Sequence, residues 1–281
     1  MIYMADVLHF PGVDVVHPAW DTLIGLRNKA PVPLTARIRL WNEDEGSPVL
    51  WPHFADVQSD DHCDVVIQPD SSWAATFIPS NGFTAAEGAS AGPPQNFRGH
   101  GTIECFQHTA FGNVDRTSDV LAFVLLANAG WKYGVNSPIR KTYGFSPLAG
   151  KQLWQFAYAI PLFNDEAGAT GKIWETGVSV QNFGSAPANI TLKYTVGQTY
   201  SEAGQSYRTQ FTVPANRGVR FDLLSGNSSQ NVPGLTAAGY PNTLNSEGHV
   251  DISTDSPALV YPSLIIASSD YSFTVGEDFA E

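Results

Sequence analysis

WDTLIGLRN at residues 20–28 and WETGVSVQN at residues 174–182 are two versions of one sequence, 154 residues apart from Trp20 to Trp174. Both read Trp, an acidic residue, Thr, a run rich in apolar residues, one polar residue and Asn. Similarity that recurs along a chain is the signature of an internal repeat. These stretches predict that the chain contains two copies of one fold.

The similarity continues on both sides of these stretches. Downstream, the matching segments either alternate apolar and polar residues or form apolar runs, and several end at Pro or small polar residues. The pairs are residues 36–40 with 189–194, 65–71 with 211–216, 99–105 with 248–254, and 120–126 with 258–266. Upstream, residues 8–11 match residues 158–161 loosely. Because the blocks keep one order, we infer a duplication.

The pattern of short alternating segments separated by turn residues is typical of antiparallel β proteins. We predict an all-β fold of two tandem antiparallel β-sandwich domains, jelly-roll or immunoglobulin-like, from an internal duplication. The first domain covers residues 1–130 and the second covers 152–281. Residues 131–151 combine Gly and Pro with aromatic residues, which favours an ordered connector over a flexible linker. Residues 81–95 are rich in Ala, Gly, Ser and Pro and predict a long surface loop.

The chain is acidic along its whole length. Its formal net charge is −12, with 15 acidic and 8 basic residues in 1–140, and 12 and 6 in 151–281. An acidic surface repels phosphate backbones, so we expect no nucleic-acid partner. No apolar stretch approaches the ~20 residues that a membrane helix needs, so we expect no membrane insertion.

The first residues, MIYMADVLH, lack the basic and apolar regions of a signal peptide. The compartment stays open: cytoplasmic if Met1 is the natural start, extracellular if the chain is a processed form. The two cysteines, Cys63 and Cys105, lie in apolar strand-like contexts, where small buried thiols are common. We favour two thiols over a disulfide.

Three segments of the second copy carry a family resemblance: VSVQNFG at residues 178–184, residues 188–194, and FTVPANRGVRFDL at residues 211–223. They resemble the bacterial sensory-rhodopsin-transducer family, with its Asn-Ala-Gly after a strand, its Val-Pro-Ala turn with basic residues, and its Arg-Phe near an Asp-Leu. The first copy shows this family resemblance only weakly. The resemblance implies a compact, non-catalytic β-sandwich that self-associates and is similar to carbohydrate-binding modules. Members are single domains, whereas this chain is a tandem.

The paired residues Trp20 and Trp174 open the best-matched stretch of each copy. An exposed Trp at a strand edge could stack on a sugar ring, which makes both candidate ligand-binding residues. A Trp that covers the core at the start of a strand is the commoner case.

His100 and His249 also occupy one repeat position, each after a Gly, and are the other candidate ligand-binding residues. We assign no catalytic residues, because neither His has a serine or cysteine nucleophile in a recognisable setting.

A candidate metal site lies in the first copy, which contains six of the seven histidines. If residues 59–64 (SDDHCD) are extended, Asp60, His62 and Asp64 share one face, while Asp61 and Cys63 share the other. Oxygen and imidazole ligands suit a divalent metal. No HxH, HExxH or CxxC framework accompanies them, and acidic loop tips are usually solvated, so we predict no cofactor.

We therefore expect a non-catalytic binding or assembly protein, whose two domains present a composite surface to a glycan, a protein partner or copies of itself. A homo-oligomer fits this expectation, because exposed strand edges can pair with one another. One alternative is a hydrolase-like or metal-dependent enzyme that uses Asp60, Asp61 or Glu104 with His62 or His100. A second alternative is a structural subunit of a filament or shell.

Overall fold

The computed structural model describes residues 7–14, 20–52, 59–77, 98–108, 114–116, 120–128, 134–137, 140–142, 152–168, 171–254, 260–268 and 274–277. The chain divides into two compact units, unit 1 at residues 1–146 and unit 2 at residues 147–281. Every described ladder is antiparallel, and one short 3-10 turn, Leu235–Ala238, is the only helical element in the described ranges. The all-β prediction is confirmed. No described helix has the length or apolarity to cross a membrane.

Unit 1 contains two main sheets and a two-stranded ladder. The first sheet has the order β12-β1-β8-β3-β6, with β9 also pairing with β8; the second has the order β11-β10-β2-β7, and β4 pairs with β5. The strands are β1 (Val7–Asp14), β2 (Trp20–Asn28), β3 (Leu34–Asn42), β4 (Trp51–Pro52), β5 (Ser59–Asp60), β6 (Cys63–Ile67), β7 (Ser72–Thr76), β8 (Arg98–His108), β9 (Val114–Arg116), β10 (Val120–Asn128), β11 (Gly134–Ser137) and β12 (Arg140–Thr142).

Unit 2 contains one ten-stranded sheet in which two groups of strands meet where β13 pairs with β14. One group has the order β16-β15-β20-β13; in the other, β14 pairs with β17 and β21, β21 pairs with β22, and β18 and β19 follow β17. The strands are β13 (Gln152–Asn164), β14 (Ile173–Asn182), β15 (Ala188–Val196), β16 (Ser206–Val213), β17 (Gly218–Asp222), β18 (Gly226–Asn227), β19 (Val232–Pro233), β20 (Ser246–Thr254), β21 (Val260–Ser268) and β22 (Thr274–Glu277).

The strand orders of the two units correspond. The order β6-β3-β8-β1 in unit 1 matches β16-β15-β20-β13 in unit 2, and β7-β2-β10-β11 matches β17-β14-β21-β22. The repeated stretches WDTLIGLRN and WETGVSVQN lie in the equivalent strands β2 and β14. β11 and β12 belong to the segment 131–151 and pair with β10 and β1 of unit 1. The predicted loop 81–95 lies outside the described residues.

Each unit has its own apolar core, built by strand alternation. In β3 and β15 every second residue is buried, as expected for strands with one face against a core. The core of unit 1 combines residues of both its sheets, including Ile24, Ile38 and Val124. The core of unit 2 likewise joins both groups of strands, including Phe156, Val180 and Leu192.

The same turn follows the equivalent strands β6 and β16. Asp70 and Asn216 both have a left-handed backbone, with φ of 52° and 54°. One residue later, the amide of Ser71 donates to the carbonyl of Gln68, and the amide of Arg217 donates to that of Pro214. Asp and Asn tolerate this backbone conformation better than other non-glycine residues. The turn residues at the ends of the predicted segments therefore have a conformational role.

The first strand of each unit contains a β-bulge at an equivalent place. The register shifts between Phe10 and Val13 in β1, and between Phe156 and Ala159 in β13. Val13 and Ala159 face Gly99 and Gly248 of the equivalent strands β8 and β20. The register makes Phe10 equivalent to Phe156, which lies 146 residues later in the chain. The sequence match of residues 8–11 with 158–161 implied a separation of 150 residues. That match was wrong by four residues, because it aligned prolines and ignored the bulge.

Both of these glycines are required by close packing. A Cβ at Gly99 would collide with the carbonyl oxygen of Trp41, and a Cβ at Gly248 would collide with that of Thr195. Since Trp41 and Thr195 lie in the equivalent strands β3 and β15, the two units solve one packing problem with one residue type. Close packing therefore explains the glycine in each of the two Gly-His pairs, at residues 99–100 and 248–249.

Candidate functional site

The predicted metal ligands occupy a charged surface on the first sheet of unit 1. The Arg37 guanidinium donates to both carboxylate oxygens of Asp64, at 2.8 and 2.7 Å. This hydrogen bond is the main reason that the pKa of Arg37 is raised. His62 Nδ1 lies 2.7 Å from Asp61, and His62 Nε2 lies 3.9 Å from Asp64. Both carboxylate oxygens of Asp64 therefore already accept hydrogen bonds from an arginine.

The two other acids whose side chains are described on this surface, Asp61 and Glu104, are also paired with bases. Arg39 lies 2.8 Å from Glu104 and 3.6 Å from Asp61. The pKa of Asp61 is lowered, chiefly by its hydrogen bond with His62 and further by Arg39. Asp60 ends β5, and its side chain lies outside the described residues. Among the side chains that the structure describes, no group of three or more His, Cys, Asp and Glu is arranged to hold a metal ion.

His100 and His249 are equivalent in register but differ in exposure. His100 lies opposite Trp41 and stacks on its ring, with centroids 5.5 Å apart and planes 14° from parallel. Its side chain is 1% exposed. His249 lies opposite Thr195, which is too small to cover it, and is exposed. The structure thus leaves only His249 of this pair at the surface.

The two predicted tryptophans start equivalent strands. Trp174 is partly buried and lies opposite Phe163 of β13 and Ser268 of β21. Trp20 lies opposite Asn128 in the ladder of β2 and β10, and its side chain is outside the described residues. A partly buried Trp between two strands fits the core-covering interpretation of Trp174.

Cys63 and Cys105 are free and buried, as the sequence favoured. They lie in β6 and β8, on opposite sides of β3. Burial raises the pKa of each thiol to about 12, with a smaller contribution from Asp64 and Glu104 respectively. Both thiols are therefore core residues with little thiolate at neutral pH.

A site that the sequence did not predict lies at the bulge of β13, the start of β20 and the loop after β15 in unit 2. The bulge in β13 leaves two consecutive residues, Ala157 and Tyr158, exposed, and the Tyr158 side chain is 39% exposed. The amide of Ile160 is satisfied by Thr176 Oγ1 at 2.8 Å, across from the bulge. A bulge redirects a side chain that regular alternation would place elsewhere.

Tyr158 shares a partner with a second tyrosine. The amide of Gly197, three residues before Tyr200, donates to the Glu247 carbonyl at 2.8 Å, and the Glu247 side chain contributes to the raised pKa of both tyrosines. Burial, followed by the hydrogen bond to Glu247, raises the pKa of Tyr158; burial and the charge of Glu247 raise that of Tyr200. We call Tyr158, Tyr200 and Glu247 the Glu247 site.

A buried chain of hydroxyls passes through Ser246, the residue before Glu247. Tyr240 donates its only proton to the Leu244 carbonyl at 2.9 Å, so it accepts from Ser246 at 2.7 Å. Ser246 in turn accepts from Tyr194, also at 2.7 Å. The rings of Tyr194 and Tyr207 contact that of Tyr240 edge to face, with centroids 5.9 and 5.0 Å apart. These contacts fix Ser246, which directly precedes Glu247 in β20.

Composition holds one signal for this site. Seven of the ten tyrosines lie after residue 151, whereas six of the seven histidines lie before it. These tyrosines are Tyr158, Tyr194, Tyr200, Tyr207, Tyr240, Tyr261 and Tyr271. That asymmetry points to the second copy. It does not identify the site, because tyrosines also fill cores, as Tyr194, Tyr207 and Tyr240 do here.

Comparisons with known proteins add little to this geometry. No protein-family model and no curated protein matches the chain. A solved structure titled "Crystal Structure of Thermotoga maritima 1070" aligns at 8% identity over 47% of this chain and 96% of its own, with a TM-score of 0.29. An anti-sigma factor domain-containing protein aligns at 7% identity over 97% and 83%, with a TM-score of 0.18. At such TM-scores neither likeness supports an argument about fold or function.

Proposed function

We propose that this protein is a non-catalytic binding protein made of two copies of one β-sandwich, and that unit 2 binds a glycan at the Glu247 site. The duplication is supported by the corresponding strand orders, the equivalent bulges and the equivalent glycines Gly99 and Gly248. The same proposal includes the resemblance to the sensory-rhodopsin-transducer family. That resemblance implies that the protein self-associates and is similar to carbohydrate-binding modules.

The observation that carries the glycan proposal is the exposed Tyr158 beside Glu247. Sugars present apolar C–H faces and hydroxyl groups on one ring, so their sites pair an aromatic surface with polar acceptors. Tyr158 supplies the aromatic surface, and the carboxylate of Glu247 supplies the acceptor. The hydroxyl chain from Tyr194 to Leu244 fixes Ser246 and would thereby limit movement of the next residue, Glu247.

The enzyme alternative has weaker support. It needs a histidine that can exchange a proton with a substrate next to a carboxylate or nucleophile. His62 bonds to Asp61, and Glu104 pairs with Arg39. His100 is buried against Trp41. We therefore assign the charged surface of unit 1 a structural role.

The test is a glycan array that includes neutral, basic and acidic sugars, followed by calorimetric titration of the best ligand. We expect Tyr158→Ala to weaken binding at least tenfold, because the loss of stacking removes roughly 1.5 kcal/mol or more. Leu153→Ala is the matched control: Leu153 is on the same strand and 53% exposed. Absence of any glycan ligand, or equal binding by Tyr158→Ala, would refute the proposal.

A further inference from the structure

β16 lies at an edge of the sheet in unit 2, and the direction of its backbone groups can be assigned. The amide of Val196 donates to the carbonyl of Gln205 at 3.0 Å, where the loop after β15 leads into β16. Hydrogen-bonded pairs recur at every second position of an antiparallel ladder, so the odd-numbered residues of β16 bond to β15. The backbone groups that point away from β15 belong to Ser206, Arg208, Gln210 and Thr212.

This edge lacks the usual protection against pairing with another strand. Among the described residues, β16 pairs with β15 alone, and no turn backbone bonds to it. Proteins commonly block such an edge with Pro, Lys or a bulge. β16 contains neither Pro nor Lys, and its register with β15 has no shift. Its one charged residue, Arg208, reaches back toward β15, with Nη2 3.4 Å from Thr191 Oγ1.

The sequence of β16 is chemically symmetrical about Thr209. On its two sides come first long polar side chains, then aromatic rings, then hydroxyl groups: Arg208 and Gln210, Tyr207 and Phe211, Ser206 and Thr212. Two copies that pair antiparallel about a two-fold axis at Thr209 therefore place each side chain opposite one of its own kind. The same register puts every outward-pointing residue of both copies in a hydrogen-bonded pair.

Thr209 has a buried group that this pairing would satisfy. The residue is 6% exposed, and among the described residues its hydroxyl has no hydrogen-bond partner. A buried hydroxyl without a partner is destabilising. In the two-fold pairing, Thr209 lies opposite Thr209 of the second copy in a non-hydrogen-bonded pair, where facing side chains are closest. A hydrogen bond between the two hydroxyls would then give each a partner.

We propose that the protein forms a two-fold symmetric dimer in which β16 of one copy pairs antiparallel with β16 of the second, centred on Thr209. This pairing rests on the self-association in the proposed function, identifies the strand responsible for it, and needs no glycan. In unit 1 the equivalent edge strand, β6, has only five residues, and Arg37 binds the side chain of its Asp64. Because the two-fold pairing uses the β16 edge of both copies, it gives a closed dimer and not a filament.

The test is light scattering coupled to size-exclusion chromatography of the full-length protein over a range of concentrations. We expect the mass of two chains for the wild type and of one chain for Gln210→Pro, which removes an outward amide and leaves the bonds to β15 in place. Val66→Pro, at an outward position of β6, is the matched control and should stay a dimer. Thr209→Val should weaken the dimer roughly fivefold or more without lowering the melting temperature of the monomer.

Cross-linking tests the register and decides the matter if Gln210→Pro does not fold. Thr209→Cys should form a disulfide between two chains under mild oxidation, because each substituted residue lies opposite its own copy. Thr212→Cys, about 20 Å from its own copy in this register, should not. A wild-type monomer at every concentration overturns both this pairing and self-association. A dimer that persists in Gln210→Pro, or equal cross-linking at the two positions, overturns the pairing alone, and none of these outcomes bears on glycan binding.

Discussion

Asn28 and Asn182, which end the equivalent strands β2 and β14, make the same four side-chain hydrogen bonds. Asn28 Nδ2 contacts the carbonyls of Val32, Ile67 and Gln68 at 2.8–3.2 Å, and Asn28 Oδ1 accepts from the amide of Ala30 at 2.7 Å. The partners of Asn182 are the equivalent backbone groups: the carbonyls of Ala186, Val213 and Pro214 and the amide of Gly184. Both side chains are fully buried. Each asparagine joins the end of its strand to the turn after β6 or β16.

We expect Asn28→Ala and Asn182→Ala each to lower the free energy of unfolding by roughly 3 kcal/mol or more. Each change removes the four hydrogen bonds of a buried side chain. The Gln68 and Pro214 carbonyls keep the turn amides of Ser71 and Arg217, and the other backbone partners lose this contact at about 1–3 kcal/mol per group. Urea unfolding followed by tryptophan fluorescence measures the change. Asn189→Ala is the control, because Asn189 is exposed and should cost about 0.5 kcal/mol or less. A loss of similar size in all three variants would contradict the structural role of the pair.

Ser246→Ala tests the hydroxyl chain of unit 2. Without Ser246, the buried hydroxyl of Tyr194 loses its acceptor, which should cost about 1–3 kcal/mol of unfolding free energy. The double variant Ser246→Ala with Tyr194→Phe removes the stranded hydroxyl and should recover part of this loss. A double variant no more stable than Ser246→Ala alone, in the same urea titration, would show that Tyr194 does not depend on Ser246.

The native protein should react slowly with a thiol reagent such as DTNB at neutral pH, and both thiols should react at once in guanidinium chloride. Thiolate is the reactive species, and burial raises the pKa of Cys63 and Cys105 from 9.0 to about 12. A prompt reaction of either cysteine in the folded protein would contradict their burial.

The same pKa shift has a consequence for stability. Because the folded thiols have a raised pKa, their contribution is complete below about pH 9 and is lost as the pH rises toward about 12. Stability measured from pH 8 to pH 11 should therefore fall above pH 9. A Cys63→Ala and Cys105→Ala double variant should show a shallower fall.

EDTA and millimolar Ca²⁺ or Zn²⁺ should leave the melting temperature unchanged. Arg37 already binds both described oxygens of Asp64, so a metal would have to displace a two-point ion pair. Differential scanning calorimetry with and without chelator measures this. A melting temperature that falls with EDTA in the wild type, and does not respond to EDTA in Asp64→Asn, would support the metal hypothesis.

The prediction of a metal site assumed a continuous strand that the structure does not have. Asp60, His62 and Asp64 share a face only if the segment is one extended strand. Instead β5 ends at Asp60, and β6 begins at Cys63, with Asp61 and His62 between them. Alternation holds within a strand and does not extend across a break.

The equivalence of His100 and His249 was found from the sequence, but their difference in exposure depends on Trp41 and Thr195 across the ladder.

The sequence by itself determined the positions of the main strands and their repeated order, because alternation and turn chemistry are local properties of the chain. Trp20–Asn28 and Ile173–Asn182 are strands as their pattern predicts. Only the tertiary structure decided which distant residues meet. Tyr158, Tyr200 and Glu247 come from β13, the loop after β15, and β20, and no local pattern links them. They converge because β20 pairs with both β13 and β15, and because a bulge turns Tyr158 outward.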